Sequence, residues 1–172
     1  NKIRVNVTIN RGTAAKGKTC VGSGNLLMES VHVAHDAFVG NDCIIGNGTK
    51  LAGEIIIDDH AIISANVLMH QFCRVGGYTM VGGGTRFSQD IPPYTICARE
   101  PVAYCGLNLV GLRRRGFSNE LIENIHNAYR IIYQGGVPLN EALQKVREEV
   151  PASPEINYII EFIENSKRGF VH

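Results

Sequence analysis

The chain has 172 residues, with 17 Lys and Arg against 16 Asp and Glu, a formal net charge of +1, and 44% hydrophobic residues. That length suits one domain, or one domain with a small appendage. The charge balance excludes bulk electrostatic binding of nucleic acid and a polybasic membrane anchor, and the apolar content excludes disorder. No apolar run approaches the ~20 residues of a transmembrane helix, and no signal peptide opens the sequence, which begins on Asn1. Nineteen glycines, no Trp and only 7% aromatic residues describe a chain that turns often and packs thin, repetitive layers.

A six-residue repeat begins at once. Stepping by six from Ile3 meets Ile9, Ala15, Val21, Leu27, Val33, Val39, Ile45, Leu51, Ile57, Ile63, Met69, Val75, Val81 and Phe87. All fifteen positions are apolar, a run whose chance probability at this composition is about four in a million. Four residues after most of them comes a small or β-branched residue, such as Val31, Ala37, Cys43, Thr49, Ala61, Val67 and Cys73. Hexads of this kind predict a left-handed parallel β-helix, with three hexads per triangular coil. Residues 18 apart should then stack at about 4.8 Å per coil, giving about five coils over residues 3–92. Glycine often follows the inward aliphatic (Gly22, Gly40, Gly46, Gly76, Gly82) and is expected to supply backbone angles that other residues resist. The repeat is in phase from residue 3, so further coils are expected upstream.

The ladder is expected to end at Gln89-Asp90-Ile91-Pro92-Pro93-Tyr94, where paired prolines cannot continue it. The all-β helix therefore takes residues 1–92, residues 93–117 read as an extended connector, and 118–172 as a small α-helical domain. Its first helix is placed at 118–133, with Ser118 as N-cap and Gly135 just beyond the end. The second spans about 140–149 and stops before Pro151. A third is capped by Ser153, with Pro154 in its first position, and runs to about Asn165. This domain is expected to pack on the end of the β-helix or between subunits. The five cysteines show no C-x-x-C and no paired spacing, which fits small buried thiols in a reducing compartment.

The same arithmetic places chemistry. His35, Gly53 and Gln71 form one column; Asp36, Glu54 and Phe72 form the next; Ala34, Ala52 and His70 form a third, with His32 leading onto the same face. A histidine with an adjacent carboxylate suits general-base catalysis on a hydroxyl or amine. The Gly53 N–H is a candidate oxyanion donor for acyl transfer. Zinc held by two or three histidines across a subunit boundary is the competing reading, but His32 and His35 have no third ligand at comparable spacing. Arg113-Arg114-Arg115 reads equally as a solvated basic run or as bidentate phosphate contacts.

At these residues the sequence resembles the bacterial UDP-N-acetylglucosamine O-acyltransferases of lipid A biosynthesis. The resemblance rests on Arg11-Gly12-Thr13, Asn25-Leu26-Leu27-Met28, His32-Val33-Ala34-His35-Asp36, His70-Gln71-Phe72-Cys73, Gln89-Asp90-Ile91-Pro92-Pro93-Tyr94 and Gly111-Leu112-Arg113-Arg114-Arg115-Gly116-Phe117. It implies a cytoplasmic homotrimer with active sites between neighbouring β-helices. The reaction implied is transfer of a 3-hydroxyacyl group from acyl carrier protein to the glucosamine 3-hydroxyl, with no cofactor, metal, nucleic acid or membrane insertion. It implies His35 as general base, Asp36 as its orienting carboxylate and Gly53 as oxyanion donor. His32, His70 and Gln71 would line the nucleotide-sugar pocket, and Asn108, Arg114 and Arg115 would hold uridine and phosphates, partly from the adjacent subunit. Gly83 matches the position that sets acyl-chain length, and a glycine there implies a long chain. Glu54 and Val110 depart from the family, standing where well-known members carry a histidine and an acidic residue. The related glucosamine N-acyltransferases, a 3-amino-sugar acceptor, coenzyme A-dependent acetyltransferases and an inactive β-helix trimer remain alternative readings.

Overall fold

The computed structural model describes residues 1–172. Fourteen two-residue strands follow one another: β1 Lys2–Ile3, β2 Thr8–Ile9, β3 Cys20–Val21, β4 Leu26–Leu27, β5 His32–Val33, β6 Phe38–Val39, β7 Ile44–Ile45, β8 Lys50–Leu51, β9 Ile56–Ile57, β10 Ile62–Ile63, β11 Leu68–Met69, β12 Arg74–Val75, β13 Met80–Val81 and β14 Arg86–Phe87. They distribute in strict rotation over three parallel sheets, the faces of a left-handed triangular solenoid. The first face holds β1, β4, β7, β10 and β13; the second β2, β5, β8, β11 and β14; the third β3, β6, β9 and β12. In each strand the second residue points inward, and Leu27, Val33, Val39, Ile45, Leu51, Ile57 and Ile63 are all fully buried. The residue four further on fills the adjoining corner, as Val31, Ala37, Cys43, Thr49 and Ala61 do. Small side chains are required there because three short strands leave room for little else.

The hexad count needs one correction. From β3 onward partners lie 18 residues apart (Cys20↔Phe38), but in the first coil they lie 24 apart (Lys2↔Leu26, Thr8↔His32). Six extra residues form a loop between β2 and β3, and Ala15 sits in an exposed turn of it rather than inside a coil. Fourteen strands thus make four full coils and most of a fifth.

The expected use of glycine also changes. Positive φ recurs every six residues at Gly24, Ser30, Asp36, Asp42, Gly48, Glu54, His60, Asn66, Phe72, Tyr78 and Gly84, three places beyond the inward aliphatic and mostly on other residues. The glycines directly after the aliphatics serve close approach between coils instead. A Cβ on Gly46 would lie 2.5 Å from Ala65 N, and one on Gly76 would lie 2.4 Å from Pro93 N.

Beyond β14, Ile91 still bridges to Val75, and then the chain departs from the expected extended connector. Strands β15 (Thr95–Ala98) and β16 (Ala103–Leu107) form an antiparallel hairpin that continues the first face beyond β13. A short helix α1 (Leu109–Arg114) follows. These segments carry no six-residue period, so a search for hexads passes over them. Helices α2 (Asn119–Gln134), α3 (Leu139–Glu149) and α4 (Pro154–Glu164) match the three expected, with Ser118 and Ser153 accepting from the N–H groups of Leu121 and Ile156.

Two cores result. One of 21 buried residues runs up the inside of the solenoid, and one of 16 joins the helices to the hairpin. The helical unit packs on the last coils: Tyr129 donates to Pro93 O at 2.7 Å, Tyr158 accepts from Gly77 N at 2.8 Å, and Arg74 lies 4.3 Å above the Phe162 ring. Cys43, Cys73 and Cys97 are buried thiols, which desolvation pushes up to about 11, 11 and 12 respectively. No helix is long and apolar enough to cross a membrane.

Candidate functional site

The corner between the second and third faces gathers most of the expected chemistry. His35 Nδ1 lies 2.9 Å from Asp36 Oδ2, and the His35 side chain is 39% exposed while that of Asp36 is fully enclosed. Asp36 is held by the inserted loop: the Thr13 hydroxyl donates to Oδ2 at 2.6 Å and the Thr13 N–H to Oδ1 at 2.9 Å. The Asp36 N–H in turn donates to Thr19 Oγ1 at 2.8 Å. The Thr13 hydroxyl, with help from His35 and the Thr13 N–H, holds the Asp36 carboxyl below the usual carboxylate range despite its burial. An ionised carboxylate only accepts, so the shared proton sits on His35 Nδ1, and in the neutral imidazole the lone pair is then on Nε2. That is the state a general base needs.

Gly53 lies one coil above. A Cβ there would come within 2.7 Å of His35 Cε1 and Nε2, so the imidazole rests directly on the glycine's backbone. Along the corner between the third and first faces the equivalent N–H is taken by a side chain at three positions: Ser23 N by Asn41, Asn41 N by Asp59 and Gly77 N by Tyr158. The Gly53 N–H has no partner within the chain and lies beside the base. A free N–H beside an imidazole is placed to donate to an oxygen that gains negative charge during acyl transfer.

His70 and Gln71 stand one coil further, where His70 Nδ1–H donates to Gln71 O at 3.0 Å. His32 lies on β5, with Nδ1 2.7 Å from Thr8 Oγ1. These residues share the corner and its adjoining face with His35. No group of three or more His, Cys, Asp or Glu side chains is arranged to hold a metal.

The remaining expected residues lie elsewhere on the chain. Gly83 is exposed at the opposite edge of the second face, with space for a Cβ whose nearest neighbour would be Ala65 O at 3.4 Å. Asn108 is buried; its Oδ1 accepts from Gly111 N and its Nδ2 donates to Tyr78 O, so it fixes the start of α1. Arg114 is exposed and forms no ion pair, and Arg115 reaches the corner between the third and first faces, where Nη1 donates to His60 Nδ1 at 2.8 Å. Two contributors escape the sequence reading. His60 is the acceptor for Arg115. Thr13 anchors the carboxylate, and its one sequence signal is that Ala15, two residues on, is the only small residue in the aliphatic series.

The family model for UDP N-acetylglucosamine O-acyltransferase, domain 2, matches residues 90–171. The UDP-N-acetylglucosamine acyltransferase of Bacteroides fragilis is 73% identical over 97% of this chain, with a TM-score of 0.94. The enzyme of Francisella novicida is 37% identical over 98% (TM-score 0.94), and that of Campylobacter jejuni 31% over 99% (TM-score 0.87). The chain spans 66%, 62% and 69% of those three proteins. With that likeness running through both the solenoid and the helical unit, the chain belongs to the UDP-N-acetylglucosamine O-acyltransferase family.

Proposed function

We propose that this chain moves a (R)-3-hydroxyacyl group from an acyl carrier protein thioester to the glucosamine 3-hydroxyl of UDP-N-acetylglucosamine, the first step of lipid A biosynthesis. The observation that carries the proposal is the Thr13–Asp36–His35 chain ending on a free Nε2 beside the unpartnered Gly53 N–H. His35 Nε2 takes the hydroxyl proton as the sugar oxygen attacks the thioester carbonyl. Negative charge moves to the carbonyl oxygen, which accepts from the Gly53 N–H. Collapse of the tetrahedral adduct breaks the carbon–sulfur bond, and the imidazolium returns its proton to the departing thiolate. No cofactor is needed for this balance. His32, His70 and Gln71 line the sugar-binding stretch of the corner, and the stacking of Gln71 two coils from His35 gives about 10 Å of reach.

The separation of the arginines from His35 favours a site built by two copies of the chain. Asn108, Arg114 and Arg115 lie near the opposite edge of the third face, where a neighbouring solenoid would present them to the nucleotide. Phe38 and Ile56 stand 47% and 37% exposed on that same face, an apolar strip suited to burial in a homotrimer. Arg113 and Arg114 have no carboxylate partner and suit an acidic carrier protein. The test is His35→Ala in an acyl-transfer assay with hydroxyl and amine acceptors in parallel. Transfer to the hydroxyl sugar should vanish while thermal melting stays within a few degrees of wild type. Near-wild-type turnover would remove the general-base role, and transfer to the amine acceptor alone would make the enzyme an N-acyltransferase.

A further inference from the structure

Among the three arginines, only Arg115 is tied to the solenoid. It caps α1, its backbone N–H bonding to Gly111 O and Leu112 O, and its side chain crosses to the corner that carries His60. A guanidinium has no lone pair to offer and keeps its proton at any working pH, so the 2.8 Å contact has one direction. Arg115 Nη1–H donates, and His60 Nδ1 accepts through a deprotonated nitrogen. The His60 ring is steadied in turn, with its centroid 4.7 Å from the Tyr78 ring and its backbone N–H bonded to Asn41 O. Tyr78 is wedged against Phe117 at 5.0 Å and Tyr94 at 5.7 Å. The acceptor is therefore mounted on a stack of rings, Asp42 Oδ2 lies 3.8 Å from the same His60 Nδ1, and Arg115 itself is exposed.

We propose that His60 is a positioning residue for Arg115: by accepting one guanidinium N–H, it fixes the direction in which the remaining fork presents itself to the diphosphate of the nucleotide sugar. The inference rests on the reading of Arg115 as a phosphate contact. A long flexible arginine must lose rotamer freedom to bind a phosphate bidentately, and a pre-set hydrogen bond removes part of that loss before the ligand arrives. Lys has no fork to aim, which is why an arginine suits this arrangement.

Two substitutions separate the hydrogen bond from the packing. His60→Phe keeps a flat ring against Tyr78 and removes the acceptor. Phe72 and Tyr78 occupy the same left-handed corner position (φ 70° and 59°, against 63° at His60), so the backbone accommodates a large aromatic there. His60→Asn places a carbonyl oxygen near the site of Nδ1, on a residue that tolerates this conformation. UDP is the probe, titrated calorimetrically against the full natural chain, with steady-state kinetics beside it. His60→Phe should weaken UDP about 3- to 10-fold, the value of one hydrogen bond, and raise KM for the nucleotide sugar similarly while kcat stays within about 2-fold. His60→Asn should recover most of that loss. Arg115→Ala sets the limit. If it weakens UDP and His60→Phe does not, His60 has no positioning role. If Arg115→Ala also leaves UDP affinity unchanged, the diphosphate role of Arg115 fails, and the proposal fails with it. A fall in kcat without a change in KM or UDP affinity would likewise overturn it.

Discussion

Gly53→Ala is the sharpest probe of the proposed catalytic corner, because it sets one methyl group against one ring. The new Cβ would meet His35 Cε1 and Nε2 at 2.7 Å, and restoring ordinary contact at 3.4–4 Å moves the imidazole about 0.7–1.3 Å. Gly53 does not require a left-handed backbone, so alanine brings no torsional strain, and its N–H stays where it is. The ring cannot retreat freely, since its Nδ1 is tied to a carboxylate that Thr13 anchors twice. A displacement of about 1 Å in a reacting group lowers rates by about 100-fold. We therefore expect kcat for acyl transfer to fall about 100-fold, with KM for the nucleotide sugar and the melting temperature close to wild type. The assay is single-turnover transfer from a 3-hydroxyacyl carrier protein, followed by mass spectrometry of the sugar nucleotide. A kcat within 3-fold of wild type would refute the reasoning, because it would mean that the position of the His35 ring over residue 53 does not govern the rate.

Thr13→Val deletes the hydroxyl that does most to lower the Asp36 carboxyl and should raise the pH at which the acid limb of the rate profile falls. Asp36 contributes stability that is present above its unfolded pKa and lost as pH falls through its lower folded value; the melting advantage of wild type over Thr13→Val should therefore hold at pH 6 and shrink below about pH 4. Tyr158→Phe removes the donor to Asp58, whose carboxyl burial already pushes up, and the acceptor for Gly77 N; denaturant unfolding should show a loss of about 1–3 kcal/mol. Gly83→Met puts a long side chain into open space at the edge of the second face. A panel of carrier-protein thioesters should show a shift toward shorter chains, and an unchanged preference would defeat the ruler reading.

Some of this molecule is written in its period and some is hidden by it. The aliphatic series from Val21 to Phe87 predicts strand positions, inward residues and corner residues, and the columns His35–Gly53–Gln71 and Asp36–Glu54–Phe72 follow from the same count. An insertion of six residues leaves a six-residue period in phase. The loop that carries Thr13 therefore reads as one more hexad, and its clamp on Asp36 leaves no mark on the period. The hairpin Thr95–Leu107 has no six-residue period and so leaves no trace in the hexad pattern. The contact of Arg115 with His60 spans 55 residues and depends on where α1 is set down, which no local pattern encodes. Period reveals what neighbours in a ladder do; it says nothing about a side chain that arrives from outside the ladder.

The left-handed corner residues carry one more consequence. A non-glycine residue in that conformation costs about 1 kcal/mol or more relative to glycine, and the solenoid offers that conformation once in every hexad. Glycine fills it at residues 24, 48 and 84, where the corner merely has to turn. Asp36, His60 and Tyr78 fill it where a carboxylate orients a histidine, an imidazole holds an arginine and a phenol ring backs that imidazole. Ser30, Asp42, Glu54, Asn66 and Phe72 fill it as well, so the strained corners include these three residues without being confined to them. Glycine at Asp36, His60 or Tyr78 should relieve that torsional strain and at the same time remove the carboxylate, imidazole or phenol ring that the contacts described above depend on.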